Sequence, residues 1–143
     1  MASVTESIIS RVAAALINVS DAGARVYRHR LDSFEESELP ALNVNRGEDA
    51  SDPLGSNGDR VLVNFEVECL ALGANWETAT DALHMQVHTA LLADAPLAAL
   101  GRGLRYLGSL PEGAAADQVV GKLTARYQMQ VFVRPGDLTR AIS

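Results

Sequence analysis

Two long runs of apolar alternation constrain this chain more than anything else in it. The first spans Arg60 to Leu72, where Val61, Val63, Phe65, Val67, Cys69 and Ala71 fill every second position. A period of two puts these six side chains on one face of a strand. Arg60, Asn64, Glu66 and Glu68 take the other face, joined by Leu62, Leu70 and Leu72 towards its ends, which are therefore expected to be covered. The second run spans Val119 to Val133, where Leu123, Ala125, Tyr127, Met129, Val131 and Val133 alternate with Lys122, Thr124, Arg126, Gln128 and Gln130. A 143-residue domain has a radius of gyration of about 14–15 Å and a diameter under about 40 Å. Thirteen extended residues span about 43 Å and fifteen about 50 Å, at roughly 3.3 Å each. The two strands are thus expected to bend, the second at Gly121, or to project as a β arm whose edges a neighbouring copy can cover.

Helical spacing brackets the first run. Ser3 and Glu6 form a capping-box pattern, and Val4, Ile8, Ile9, Val12, Leu16 and Val19 follow as one stripe. Asn18 to Gly23 supplies the stop, so a helix is expected over Val4 to Ile17. After the first long strand, Gly73, Ala74 and Asn75 make a turn, with Asn75 as cap. The stripe Trp76, Ala79, Leu83, Val87, Ala90 and Leu91 predicts a second helix, which Pro96 ends. Leu97 to Gly103 reads as a last turn leading into a glycine bend.

The remaining segments are shorter. Ala24 to Leu31 reads as a strand ending in a basic patch of Arg28, His29 and Arg30. Asp32 to Glu38 reads as an acidic loop anchored by Phe34, with Pro40 at a strand start or edge. Ala41 to Arg46 alternates as a half-buried strand. Gly47 to Asp59 reads as a long loop in which only Leu54 is suited to burial. Leu104 to Leu110 predicts a strand, Pro111 to Ala116 a loop, and the end of the chain a loose tail. The fold class is therefore α+β: residues 1–143 as a single domain, with a mostly antiparallel sheet, two helices on one face and the long strands projecting as an arm.

Composition excludes several classes of function. A net charge of −6 and a pI near 4.9 argue against nucleic acid as a sequence-specific partner. One cysteine rules out an internal disulfide. No signal peptide and no apolar run of membrane-spanning length are recognised, so no membrane partner is expected. The charge is unevenly distributed. Residues 32–59 carry eight acids against Arg46, and residues 100–143 carry six bases against three acids. Either this is a solvated surface, or the opposite patches register a head-to-tail contact between copies.

Catalytic patterns are weak. His84 and His88 stand one helical turn apart with Asp81 a turn earlier, a spacing suited to metal ligands. Met85 occupies the position where a zinc protease helix needs its general base. No serine sits in a nucleophile elbow, and Gly101 and Gly103 lack the third glycine of a dinucleotide fingerprint. Glu66 and Glu68 share the polar strand face, where ion pairs to Lys122 or Arg126 are the plainer reading. Cys69 lies in the core register and is expected to be inert. No catalytic residue, cofactor or metal is expected; His84, His88 and Asp81 are the weak metal candidates.

The order and spacing of these segments resemble the tail-terminator family of long-tailed bacteriophages, the family of the lambda minor tail protein U and its prophage relatives. The residues that carry the resemblance are the capped helix SIISRVAAALIN, the acidic segment EESELPALNVNRGE and the loop DASDPLGSNGD. The block RVLVNFEVECLALGANWETATDALHMQVHTALLAD and the final strand LTARYQMQVFVRPGD complete it. The resemblance implies a structural protein of the virion tail, assembled in the bacterial host cytoplasm. It implies a hexameric ring that caps the tail tube, stops its polymerisation and offers a surface to the head. The implied partners are further copies of the chain, the tube protein and the head–tail connector or neck protein. The expected contact residues are Glu48, Asp49, Asp52, Asp59, Arg102, Arg105 and Arg126. The alternatives are a head-completion or neck protein and a small metal- or ligand-binding enzyme domain using the His84/His88 face.

Overall fold

Both alternating runs form strands, and they pair with each other. In the computed structural model, which describes residues 2–53, 58–114 and 120–141, β4 (Asp59–Leu72) lies antiparallel to β6 (Val120–Arg134). The pairing is unbroken from Asp59↔Val133 to Leu72↔Val120. On either side lie β2 (Ala41–Arg46), antiparallel to β4, and β5 (Arg102–Ala114), antiparallel to β6. The main sheet order is β1-β2-β4-β6-β5, where β1 (Val26–Arg28) runs parallel to β2. Two further short strands complete it: β3 (Ala50–Pro53) on β4 and β7 (Asp137–Ala141) on β6. The class is α+β with a mostly antiparallel sheet, as the patterning predicts.

The core lies on the face of the sheet that the alternation marks. Val61, Val63, Phe65, Val67 and Cys69 of β4 and Leu123, Ala125, Tyr127, Met129, Val131 and Val133 of β6 are buried in one cluster with the two main helices. From α1 (Val4–Ala15) and its end come Val4, Ile8, Ile9, Val12 and Leu16; from α2 (Trp76–Ala93) come Leu83, Val87 and Leu91. At about 1.5–3 kcal/mol per fully buried aliphatic or aromatic side chain, this layer is the main stabilising contribution. The long strands are therefore backed by side chains along their length. They do not project as the anticipated arm; the strand that is exposed, from Ser109 to Gly113, is the outer strand β5.

Several local expectations change. Ser3 caps α1 by accepting from the Glu6 amide at 3.1 Å, but the Glu6 carboxylate turns away to the Arg28 guanidinium at 2.7 Å. The helix ends at Ala15, so Val19 is exposed instead of extending the stripe. Asn75 stands at the N-cap of α2 without a side-chain cap bond. Thr80, not Ala79, is buried, because the inward stripe runs through positions 76, 80, 83, 87 and 91. Gly121 introduces no break in the β4 pairing. Its role is close approach: a Cβ there would lie 2.0 Å from Trp76 Cδ2, and one on its cross-strand partner Gly113 would lie 2.7 Å from Trp76 Cζ2. The pair of glycines is the seat on which the indole packs.

The short elements were not foreseen. A third helix, α3 (Ala95–Ala98), is capped by Asp94, whose carboxylate accepts from the Leu97 amide at 2.9 Å and is bound bidentately by Arg11. β3 occupies part of the expected loop, β7 part of the expected loose tail, and β5 runs through Pro111 to Ala114. Expectations for Leu54, Ala115, Ala116, Val119 and the last two residues lie outside the described residues.

Candidate interaction surface

The face of the sheet turned away from α1 and α2 is polar and partly open. Alternation dictates this, since every residue between two core positions on β4 or β6 must point outward. Glu66 faces Arg126 in register, Asn64 faces Gln128, and Gln128 Nε2 donates to Asn64 Oδ1 at 3.1 Å. Glu68 accepts from Lys122 Nζ at 3.1 Å and from Asn43 Nδ2 at 2.8 Å. Asn43 is buried, and its side chain is further satisfied by the Arg30 backbone, accepting from the amide and donating to the carbonyl. Leu70 is buried at that end, as expected for the apolar end of a polar face. Of the two carboxylates, Glu68 is thus engaged by Lys122 and Asn43, and Glu66 faces Arg126 across the strands. They border a depression of about 520 Å³ whose other walls include Leu110, Glu112, Lys122 and Arg126.

At one margin stands β5. Arg102 and Arg105 pair in register with Gln130 and Gln128, and both are exposed. The Arg102 guanidinium lies 5.3 Å from the Phe132 ring centroid, within cation–π range. Tyr106, Leu107 and Leu110 are also exposed. Two register shifts interrupt the strand, and Gly103 and Gly108 adopt positive φ at those points, a backbone state that glycine adopts without strain.

The acidic contact candidates lie across the sheet. Asp52 pairs with Arg60 at 2.7 Å, and Asp49 accepts from Arg46 at 3.1 Å and from Thr5 Oγ1 at 3.2 Å. Both carboxylates are therefore engaged within the chain. Glu48 is exposed, while its carbonyl accepts from Asn64 Nδ2 at 2.7 Å. Asp59 starts β4 opposite Pro53 and Val133. Glu38 is also internal: the Arg30 guanidinium at 2.6 Å, aided by the Glu35 amide, holds its carboxyl down to about 2. Exposed carboxylates remain at Asp32, Glu35 and Glu36, beside Leu31, which is 84% exposed.

The histidine pair is accounted for by a residue that metal spacing does not reveal. His84 Nε2 and His88 Nδ1 each lie 3.0 Å from the buried Tyr127 hydroxyl. A phenol can donate to one imidazole and accept from the other, so the bridge satisfies all three groups when the histidines are neutral. Tyr106 closes the cluster, 5.0 Å from the His84 ring centre and 5.5 Å from that of Tyr127. Phe65 stacks on Tyr127 at 5.5 Å. Burial lowers the His84 pKa, the neighbouring His88 charge lowers it further, and Asp81 opposes both. Burial raises the Tyr127 pKa. Asp81 is exposed, and among the described residues no three of His, Cys, Asp and Glu form a metal-binding group. Cys69 is buried, and burial, with Glu68 nearby, pushes its thiol up to about 12, far from a reactive thiolate. The signal for the bridge was present in the sequence: a tyrosine in a core register needs a partner for its hydroxyl, and His84 and His88 border the inward stripe of α2.

No family model matches the chain, and no curated protein matches it. Among solved structures, it is similar to a chain of one titled "Virion of native gene transfer agent (GTA) particle". The two are 18% identical; the match covers 88% of this chain and 91% of that one, with a TM-score of 0.45.

Proposed function

We propose that this chain is a non-enzymatic structural protein of a phage-like virion. In this reading it is a tail terminator, forming a ring that caps the tail tube, stops subunit addition and presents a surface for joining the head. The observation that carries the reading is the exposed outer strand β5. It sets Leu107 and Leu110 beside Arg102 and Arg105 at the margin of an otherwise polar, charge-patterned sheet face. Such a margin suits contact with another protein, since an exposed, unpaired strand edge is otherwise an association hazard. The order of elements agrees with the resemblance: a capped first helix, a long strand turning into a long helix, and a long final strand paired back onto the first. The histidine pair supports the same side of the choice, because both imidazoles are bonded to Tyr127.

Mechanism in this reading is steric. A heterologous contact that closes after a fixed rotation makes a ring, and a ring matched to a tube end removes the site at which the next tube subunit would add. No bond is made or broken. The test is polymerisation of the cognate tube protein with and without this chain. Tubes held to a fixed length in its presence support the proposal; the same open length distribution with and without it refutes it.

A further inference from the structure

Two surface patches of opposite charge, each with exposed leucine, lie on β5 and in the segment that follows β1. At the β5 edge, Leu107 and Leu110 lie among Arg102, Arg105 and the neighbouring Arg126 of β6, all exposed, which outnumber the one exposed carboxylate of the strand, Glu112. In the segment that follows β1, Leu31 is succeeded by Asp32, Glu35 and Glu36, also exposed, and the Arg30 backbone just before it is bonded to the Asn43 side chain on the polar face of β2. Among the described residues, none of these three arginines and none of these three carboxylates forms an ion pair. β2, to which Arg30 is anchored, and β5 are three strand spacings apart, about 14 Å at roughly 4.8 Å each. A second copy brings each patch to its complement, and the match is heterologous, so it propagates from copy to copy.

We propose that the β5 edge of one copy docks against the Leu31–Glu36 segment of the next; this deepens the ring reading above and rests on it. Arg102, Arg105 and Arg126 then face Asp32, Glu35 and Glu36, and Leu31 is covered by Leu107 and Leu110. The contact is made by side chains. The bulges at Arg102/Arg105 and Tyr106/Gly108, and Pro111 with no amide hydrogen, prevent β5 from extending a regular backbone ladder to a neighbour.

The experiment uses charge-reversed full chains and analytical ultracentrifugation. R102E/R105E/R126E makes both patches acidic, and D32K/E35K/E36K makes both patches basic. Each variant is expected to lose assembly at concentrations where the wild type is assembled, while unfolding at the wild-type temperature. Mixed in equal amounts, they should regain assembly as oligomers of strictly alternating, hence even, subunit number. The wild-type mass should fall towards the monomer at about 1 M salt, where the Debye length is near 3 Å. The milder pair R105E and E36K serves if a triple variant does not fold, with the same expectation of loss alone and recovery on mixing. Variants that assemble alone like the wild type, or that fail to recover when mixed, overturn the contact. So does a wild-type chain that stays monomeric at every concentration. None of these results bears on tube capping, which is judged separately from tube length.

Discussion

Tyr127 joins the apolar and polar halves of the interior. Its ring stacks on Phe65, and its hydroxyl bridges His84 and His88. Tyr127→Phe keeps the ring and leaves two half-buried imidazoles without their partner. Such a loss costs about 1–3 kcal/mol, and a lower urea midpoint with an unchanged slope is expected. An unchanged midpoint would show that the bridge contributes nothing. The same cluster sets an acid limit. The His84 pKa is lowered by burial, so the unfolded chain takes up the proton first as the pH drops below about 6.5. Stability is therefore full above that pH and declines beneath it. A second loss follows through the carboxylate range. Glu6, Glu38 and Asp94 are held below their ordinary pKa by Arg28, Arg30 and Arg11, and their stabilisation is lost as the folded forms protonate, for Glu38 down to about 2. Urea midpoints measured from pH 7.5 to 5 should fall in the wild type and much less in His84→Gln; a flat wild-type profile contradicts the assignment. Reading the histidines by spacing alone found the residues but not their partner, because Tyr127 is 43 positions from His84 and meets it only after the sheet has formed.

Each long element was legible because its pattern is longer than its exceptions. The β4 and β6 alternation fixes the buried face residue by residue, and the α1 and α2 stripes fix which helix sides meet it. β3, β7 and α3 have four or five residues each, too few to show a period, whereas β1 was readable as a strand within Ala24–Leu31 and is only shorter than expected. Their conformation follows from neighbours. β1 takes its register from Leu42 to Val44, and α3 forms where the Asp94 carboxylate is held by both Arg11 and the Leu97 amide. Trp76 was expected in the core; what it packs on, a cross-strand glycine pair, could not be read from a helix stripe. Gly121→Ala places a methyl group inside the indole contact and is expected to destabilise the protein by about 1–3 kcal/mol, the usual cost of overpacking. Pairing it with Trp76→Ala should remove most of that extra cost. Equal, additive losses in the double-mutant cycle would place the indole elsewhere.

The described chain is a sheet with one face given to its own helices and the other left polar, with exposed arginines on and beside β5 and exposed carboxylates in the segment after β1. The sequence carried that asymmetry as eight acids in residues 32–59 and six bases after residue 100. Folding sorts them: Glu38, Asp49 and Asp52 are ion-paired within the chain, while Asp32, Glu35 and Glu36 are exposed and form no ion pair among the described residues. Counting charge along the chain could not make that distinction, since it depends on which arginine each acid meets in space. No motif announces the proposed role either, because capping by shape would need no reactive group at fixed spacing. Electron microscopy of the purified protein mixed with cognate tail tubes decides whether that shape is used as proposed. We expect annular density the width of the tube at one end and bare walls elsewhere; bare ends, or protein scattered along the walls, would contradict a capping ring.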